Sequence, residues 1–432
     1  MSLKDILLDF EARRGNEKDL FSRRFVNHLI AGGQKNSSKK RSRSKTSRSK
    51  TSRPRSTSFR ETRRKLLKEA PLEKDSHGYI VHIDSPYCWS ALVKKYKPKI
   101  KVLLDSDDIK QSLESIREAR KSYAWSILIS VLEETIAKWQ SGALYYQQMH
   151  VIAKILDVGI LEVFLLQLMY EMNTYCTSVV ARAKEGTVAH GRTMDWNLKA
   201  LEALSVPVSI YSKGKCIGTA MHWVGCVGFF TAMRNHQFSI TINYRQSPRD
   251  WDEEYEEAKY VINNSFLGVV SPLVEWLNRS LGFGENISLA DTIEANFDST
   301  ILIAISHLMS SGAYDIAFAS PTTFLLRDTI LHSSNYKEAL KRLSNTPIFT
   351  QVYFTIAGCK NNEGAILARS RKGVDKRKEL SSNTAFIIQP NRDWWRENDD
   401  VMDSLGRINT MKNVLTADRS VTSLWKAMKK GR

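Results

Sequence analysis

The sequence predicts an α+β fold in which two layers of helices enclose two β-sheets. Two observations support this prediction. Several short segments alternate apolar and polar residues like antiparallel strands, and segments with apolar residues at helical spacing lie before and between them. At 432 residues the chain can bury a substantial core. Helices that cover the outer faces of two packed sheets give a four-layered αββα sandwich.

The first 75 residues are expected to lie outside this core. Residues 35–68 contain fifteen Lys and Arg against one Glu, which accounts for +14 of the chain's net charge of +18. Such a segment cannot collapse, so residues 1–75 are predicted to form a disordered basic tail. Four interpretations of this tail are open: a solvated linker, a targeting signal, a tether to an anionic membrane and a nucleic-acid patch. Phe59 is the only aromatic residue of segment 35–68, which argues against base stacking.

Residues 76–175 are predicted to form a mainly helical segment, with order beginning near His77. Residues 79–83 alternate like a strand. Residues 107–131 open with two aspartates, which stabilise a helix start, and then repeat apolar residues at helical spacing. Residues 157–172 are apolar on nearly every side, which predicts a helix that is buried or that meets an apolar partner.

Residues 176–432 are predicted to form a second segment that starts with strands. Beyond the first hairpin, strands are expected at 228–233, 237–244, 351–358, 364–369 and 384–389. Residues 251–308 are predicted to be helical and carry an apolar stripe that includes Trp276. Such a stripe is typical of core packing, but a tryptophan there also suits a lip that contacts lipid.

The sequence argues against a membrane-spanning helix, a signal peptide and a metal site. No run of eighteen or more uncharged apolar residues occurs, and residues 222–233 are too short to span a membrane. The first residues lack the apolar core of a signal peptide. Five cysteines without CxxC spacing argue against a zinc site, and the sequence predicts neither a metal nor a cofactor.

The chemistry is concentrated in one predicted hairpin. Cys176 opens a β-like run, a turn at 184–186 reverses the chain, and a second run brings Arg192 and Asp195 back beside the cysteine. Amide hydrolysis requires a nucleophile, a base and charges that orient both. Buried cysteines are more often small hydrophobic residues, so the hairpin alone leaves both interpretations open.

The hairpin motif resembles a known family. Cys-Thr-Ser-Val-Val at 176–180, followed by His-Gly-Arg-x-Met-Asp-Trp at 190–196, resembles the acid ceramidase family, which includes the acid amidase that acts on N-acylethanolamines. Further segments between residues 78 and 412 follow the family's order: YIVHID at 79–84, INNSFLG at 262–268, LLR at 325–327, VYFTIAG at 352–358, EG at 363–364 and NRDWW at 391–395. The resemblance implies an αββα sandwich of the N-terminal-nucleophile hydrolase type, with self-cleavage between Tyr175 and Cys176.

The resemblance also implies roles for individual residues. Cys176 would be the nucleophile, with Arg192 stabilising its thiolate and Asp195 holding its freed α-amine. Asn391 would help to form the oxyanion hole, where an amide donor stabilises the developing negative charge. An α-amine titrates near neutrality and can take the thiol proton itself. A catalytic histidine is therefore not required, and His190 is interpreted as structural.

Two positions depart from the family's pattern. Tyr244 stands where the family has Glu in Asn-Glu-Arg, directly before Arg245. The missing carboxylate predicts slow self-cleavage or a compensating acid, for which Asp250 and Glu253 are candidates. Where the family has Asp-Asp-Arg-Arg, this sequence has Asp-Ser-Leu-Gly-Arg at 403–407. Arg407 is a candidate for the family's second arginine.

The sequence is therefore interpreted as a lipid amidase without a cofactor. It would hydrolyse ceramide or an N-acylethanolamine to a fatty acid and an amine. The mature enzyme would consist of two fragments of one chain, and contact with a membrane surface or a lipid carrier is open. The alternative is an unprocessed, non-catalytic interaction protein whose basic tail binds an anionic membrane or nucleic acid. The family suggests the lysosome, whereas the start of the sequence leaves an intracellular location open.

Overall fold

The computed structural model describes most of the chain after residue 70. The described residues are 71–106, 109–110, 113–114, 117, 142–168, 175–183, 185–195, 199–245, 320–348, 350–370, 373–396 and 404–430. The predicted basic tail up to residue 70, most of the predicted helix at 107–131 and the whole predicted helical stretch at 251–308 lie outside them.

Eleven strands occur within the described residues. They are β1 (Tyr79–His82), β2 (Tyr175–Arg182), β3 (Val188–Asp195), β4 (Ser205–Ser212), β5 (Lys215–Trp223), β6 (Thr231–Arg234), β7 (Phe238–Tyr244), β8 (Val352–Gly358), β9 (Gly364–Arg369), β10 (Val374–Glu379) and β11 (Phe386–Gln389). Eight of them form one sheet in the order β1-β4-β5-β6-β7-β8-β9-β10, and β11-β2-β3 form a second sheet. All neighbours are antiparallel except β1 and β4, which are parallel.

Eight helices are described beside these strands. They are α1 (Ser90–Leu104), α2 (Gly142–Leu156), α3 (Ile160–Leu168), α4 (Lys199–Glu202), α5 (Thr322–His332), α6 (Tyr336–Asn345), α7 (Ser404–Ala417) and α8 (Val421–Lys430). None of the helices in the described residues is long and apolar enough to cross a membrane.

The two sheets pack face to face, with helices on both outer sides. Val180 of the small sheet meets Ile366 of the large sheet in a buried apolar cluster between them. Met411 of α7 and Leu424 of α8 pack against the opposite face of the small sheet, and α5 and α6 contact the large sheet. This alternation of buried faces confirms the predicted α+β class and its αββα layers.

The local predictions hold best for the strands of the core. The hairpin and the strands at 237–244, 351–358 and 364–369 are confirmed with shifts of one residue or less at their ends. The predicted start of strand 228–233 is wrong, because β6 begins only at Thr231. A Cβ added to Gly228 would lie 2.4 Å from the Thr323 hydroxyl, so the chain there approaches α5 before it joins the sheet.

Candidate functional site

The β2–β3 hairpin gathers the predicted reactive residues at its open end. Its register places Cys176 opposite Met194 and Tyr175 opposite Asp195. At the closed end Gly186 has a positive φ of 89°, a conformation that favours glycine in the turn. The hairpin is therefore long enough to bring Asp195 level with the bond before Cys176.

The Cys176 thiol lies against a guanidinium. Arg192 Nη2 is 3.3 Å from Sγ, and the cysteine is fully buried between the sheets. The same arginine donates to the backbone oxygen of Ile242 at 2.8 Å and to the Thr231 hydroxyl at 3.1 Å. These bonds to the large sheet fix the direction of the guanidinium. The contact places a positive charge directly beside the sulfur.

The backbone of Cys176 is held by side chains from the far end of the chain. Its N–H donates to Asn391 Oδ1 at 2.8 Å, and Asn391 Nδ2 donates to the Tyr244 carbonyl oxygen at 2.8 Å. Arg407 Nη1 donates to the Cys176 carbonyl at 2.7 Å and to the Thr177 hydroxyl at 2.9 Å. Arg407 Nη2 also donates to Asn391 Oδ1 at 3.2 Å. Two N–H donors thus converge on one amide oxygen, which fixes the orientation of the Asn391 amide.

This arrangement adds a contact to the role predicted for Asn391. The amide oxygen holds the nitrogen that would become an α-amine after cleavage before Cys176, and one amide hydrogen is directed to Tyr244. An oxyanion role for the same amide stays a prediction. Arg407, only a loose candidate from the sequence, lies directly at the site because α7 begins nearby at Ser404.

Arg245 has two acidic partners that the sequence interpretation did not identify. Its Nε and Nη2 donate to the two oxygens of Asp393 at 2.8 and 2.9 Å, and its Nη1 contacts Asp375. The Tyr353 hydroxyl also donates to Asp393, at 2.7 Å. Burial alone would lower the pKa of Arg245, but its hydrogen bonds with both carboxylates raise the pKa above its usual value.

These contacts answer the question raised by the missing glutamate at Tyr244. The charge of Arg245 is balanced by Asp393 and Asp375, while the suggested Asp250 and Glu253 lie outside the described residues. Asp393 belongs to the NRDWW segment that carries part of the resemblance. Its sequence position, two residues after Asn391, was the one available signal.

His190 lies on β3 but makes contacts of a structural kind. Its ring nitrogens are 2.8 Å from the Ser239 hydroxyl and 3.1 Å from the Thr241 hydroxyl, which tie the small sheet to β7. Burial lowers the pKa of His190 to about 4, and the charge of Arg192 adds to this effect. The ring is therefore neutral at pH 7 and bridges the two sheets.

A cavity of about 700 Å³ opens beside Arg192. Its lining comes from β3 and from β5, β6 and β7 of the large sheet, and it includes Met221 and Met233. These two methionines are 48% and 45% exposed, so part of the apolar lining reaches solvent. Arg192 lines this cavity and also contacts the thiol, so it links the apolar opening to Cys176.

Within the described ranges, no group of three or more His, Cys, Asp and Glu side chains is arranged to hold a metal ion. None of the five cysteines forms a disulfide.

The chain is similar to several known proteins. No protein-family model matches the chain. It is 24% identical over 338 residues to the acid ceramidase of Homo sapiens, covering 74% of this chain and 70% of that protein. It is 22% identical over 324 residues to the N-acylethanolamine-hydrolyzing acid amidase of Mus musculus, covering 71% and 74%. A solved structure, the Caenorhabditis elegans ortholog of that amidase, aligns at 20% identity with a TM-score of 0.40, covering 59% of this chain and 85% of that one.

Proposed function

We propose that this chain, a relative of acid ceramidase and of N-acylethanolamine-hydrolyzing acid amidase, hydrolyses the amide bond of N-acylated lipids. One observation carries the proposal most directly. The thiol and the backbone nitrogen of Cys176 are held by different side chains, Arg192 at Sγ and Asn391 at N. A residue whose sulfur and nitrogen both take part in a reaction needs both atoms to be positioned.

The first step of the proposed mechanism is self-cleavage. Cys176 Sγ attacks the carbonyl carbon of Tyr175, the C–N bond to Cys176 breaks, and the thiol proton passes to the departing nitrogen. Water then hydrolyses the resulting thioester, which leaves a carboxylate on Tyr175 and a free α-amine and thiol on Cys176. Tyr175 is 40% exposed, which supports access of water to this bond.

The second step is amide hydrolysis by the new N-terminus. The α-amine takes the thiol proton, and the thiolate, stabilised by Arg192, attacks the lipid amide carbonyl. The α-ammonium returns the proton to the leaving amine, and an acyl-thioester remains on Cys176. The same α-amine then activates water, which releases the fatty acid. Asn391 would keep the amine in place through its oxygen, and Asp195 would accept a hydrogen bond from it.

The cavity beside Arg192 supports a lipid substrate. Its volume of about 700 Å³ suits a long aliphatic chain. Met221 and Met233 offer flexible apolar side chains that adapt to an acyl chain without a fixed shape. Both ceramide and N-acylethanolamine carry such a chain, so this cavity supports the class of substrate and leaves the choice between them to experiment.

Two further features bear on the pH and the location of the proposed reaction. Both named relatives are described as acid enzymes, which supports activity at acidic pH. The basic segment 35–68 would be attracted to the surface of a membrane that contains acidic lipids, where such substrates reside.

The test combines mass spectrometry with product analysis. The purified full-length chain is incubated in acidic buffer, and its fragments are identified before ceramide and N-acylethanolamine are supplied in separate assays of fatty-acid release. The proposal predicts a fragment that begins at Cys176 and fatty-acid release that appears together with this fragment.

An intact chain that releases no fatty acid from either lipid would contradict the proposal and favour the unprocessed interaction protein. Release of fatty acid by the intact chain would retain the amidase but remove the N-terminal-amine mechanism. Asn391→Ala provides a further check, since it removes the contact to the Cys176 nitrogen and should slow both reactions.

A further inference from the structure

A second cavity, of about 530 Å³, lies at the edge of the small sheet that is formed by β11. It is bounded by β10, β11, the segment after β11 and the start of α7, and it shares no lining residue with the cavity beside Arg192. Part of its lining is apolar: Phe386, Ile388, Trp394, Leu405 and Ile408. Leu405 is 42% exposed, so the apolar part of the lining reaches the protein surface.

The rest of this lining is strongly basic. Lys378, Arg392 and Lys412 all border the cavity. Glu379 is the acidic residue among the lining residues, and it pairs with Arg377. The cavity therefore combines an excess of positive charge with an apolar wall.

Arg392 borders this cavity, and part of its hydrogen-bonding capacity is unused. It is only 6% exposed, and its Nη2 donates to the backbone oxygen of Arg396. Its Nε and Nη1 are buried and have no acceptor among the residues that the structure describes. A buried cation with unsatisfied donors lowers stability unless an anion or another acceptor compensates it.

Lys378 shows the same need for a negative partner. Burial, followed by the positive charge of Lys412, lowers the pKa of Lys378 to about 8. Its Nζ lies 4.4 Å from the centre of the Trp394 ring, in a cation–π contact that holds the ammonium at the cavity wall. An anion between Lys378 and Lys412 would relieve their repulsion.

We propose that this cavity binds the head of an acidic amphiphile. A phosphate or carboxylate would be held by Arg392, Lys378 and Lys412, and the attached hydrocarbon chain would lie against Leu405 and the neighbouring apolar side chains. Guanidinium and ammonium groups together form charge-assisted hydrogen bonds with such heads, and the apolar wall explains why a simple inorganic anion would not fill the site.

The cavity adjoins the elements that hold Cys176. Helix α7 contributes Ile408 and Lys412 to the cavity and Arg407 to the backbone of Cys176. Arg392 follows Asn391, which holds the Cys176 nitrogen. An occupant would thus stabilise two segments that also build the reactive site. The binding proposal does not depend on the proposed hydrolysis, since it rests on the cavity alone.

The first experiment measures binding of soluble probes to the full-length chain by isothermal titration calorimetry. Octyl phosphate and octanoate are compared with octanol, which lacks the charge, and with inorganic phosphate, which lacks the chain. We expect both acidic amphiphiles to bind and to bind at least about tenfold more tightly than either single-feature probe, a difference of about 1.4 kcal/mol. Equal binding of inorganic phosphate would overturn the amphiphile assignment.

Matched variants locate the site. Arg392→Met and Lys412→Gln should each weaken octyl phosphate binding about tenfold or more. Lys376→Gln should leave binding unchanged, because Lys376 lies on β10 with Lys378 but outside the cavity. Lys412 is exposed, so its variant keeps the test valid even if Arg392→Met folds poorly. Octyl phosphate binding that is absent, or that survives both cavity variants, would refute the proposal.

A second arm identifies the source of the amphiphile. The same variants are sedimented with vesicles of phosphatidylcholine containing phosphatidylglycerol, with Lys376→Gln as reference because the basic N-terminal segment will bind such vesicles in every variant. Weaker sedimentation of Lys412→Gln than of Lys376→Gln supports a bilayer lipid head. Equal sedimentation, with the soluble-probe result intact, supports a free acidic amphiphile such as a fatty acid.

Discussion

Cys176 and Cys226 are both buried in the same hydrophobic core, but their surroundings differ. The Cys226 sulfur is 3.9 Å from the carbonyl oxygen of Leu166, and burial raises the pKa of this thiol to about 12. A thiol with such a pKa stays protonated at neutral pH and does not act as a nucleophile.

At Cys176, by contrast, the sulfur lies 3.3 Å from the Arg192 guanidinium, and the backbone on both sides of Cα is held by Asn391 and Arg407. The difference teaches that burial by itself makes a cysteine inert. A reactive site requires donors that separate elements of the fold bring to the sulfur and to the backbone. The following predictions test this difference, from the largest expected effect to the smallest.

Replacing each cysteine in turn gives the largest contrast. Cys176→Ala should leave the chain uncleaved and without measurable amidase activity, because the proposed mechanism uses this one sulfur for both reactions. Cys226→Ala should retain cleavage and activity, with only a modest loss of stability. Gel electrophoresis and fatty-acid release measure both outcomes. A Cys176→Ala chain that still splits before residue 176 would show that the nucleophile is wrongly assigned.

Removing the cation should make Cys176 resemble Cys226. Arg192→Met should lower kcat roughly a hundredfold, because it removes charge stabilisation of the thiolate and of the developing oxyanion. Arg182→Met, at the other end of the same hairpin, serves as the control and should change kcat little. If both variants kept the activity of the unaltered protein, the contact between Arg192 and the sulfur would have no catalytic importance.

The hairpin was predictable because its information is local. Cys176 and Arg192 are sixteen residues apart, and one antiparallel register brings them together. Asn391 and Arg407 lie 215 and 231 residues from Cys176, and only the resemblance pointed to them. The Arg245–Asp393 pair, 148 residues apart, was not foreseen, because the residue spacing carries no signal for a contact between β7 and the segment after β11.

Among the elements that the sequence did not predict, β10 and α7 were missed for different physical reasons. β10 contains five charged residues in six, a composition that normally indicates a loop. It is an edge strand of the large sheet, where charged side chains face solvent and prevent further pairing. α7 contains Gly406 and lacks a clear apolar stripe, yet Met411 and Leu415 bury it against the small sheet. Tertiary packing, which the sequence pattern does not show, determines that β10 forms a strand and α7 a helix.

The ionic frame beside the site should be more sensitive to substitution than the apolar packing around Cys226. Asp393→Asn should lower the free energy of unfolding by about 3 kcal/mol, because it leaves the buried Arg245 charge poorly compensated. Asp375→Asn is the control, and it should cost less than about 1 kcal/mol because this carboxylate is 37% exposed. Urea denaturation measures both. Equal costs would mean that the bidentate pair does not support the site.

Restoring the family's carboxylate should have a small effect. The sequence predicts slow self-cleavage from the missing carboxylate, but in the structure Asp393 and Asp375 already balance the charge of Arg245. The contact from Asn391 goes to the backbone oxygen of residue 244, which any side chain preserves. We therefore expect the half-time of cleavage in acidic buffer to change by less than about fivefold, equivalent to about 1 kcal/mol. A larger acceleration would show that this site still lacks a charge.

The smallest effect is expected from removing the basic tail, which should influence neither cysteine. Deletion of residues 1–70 removes the strongly basic segment, which has almost no apolar residue between 35 and 58, so no core packing should be lost. The thermal midpoint should stay within about 1 °C of the full-length value, since a loss of 1 kcal/mol would already shift it by about 2–4 °C in a domain of moderate size.

A deletion six residues longer is the matched control, because the fold begins within those residues. Asp75 Oδ1 accepts hydrogen bonds from the backbone of His77 and Gly78 and from the Ser209 hydroxyl of β4, at 2.8 to 3.0 Å. Removing residues 1–76 breaks these bonds and leaves the start of β1 without its anchor. We expect this deletion to lower the midpoint by at least about 2 °C. If deletion of 1–70 already produced that loss, the tail would be part of the folded core, and its basic charge would have a structural partner among the remaining residues.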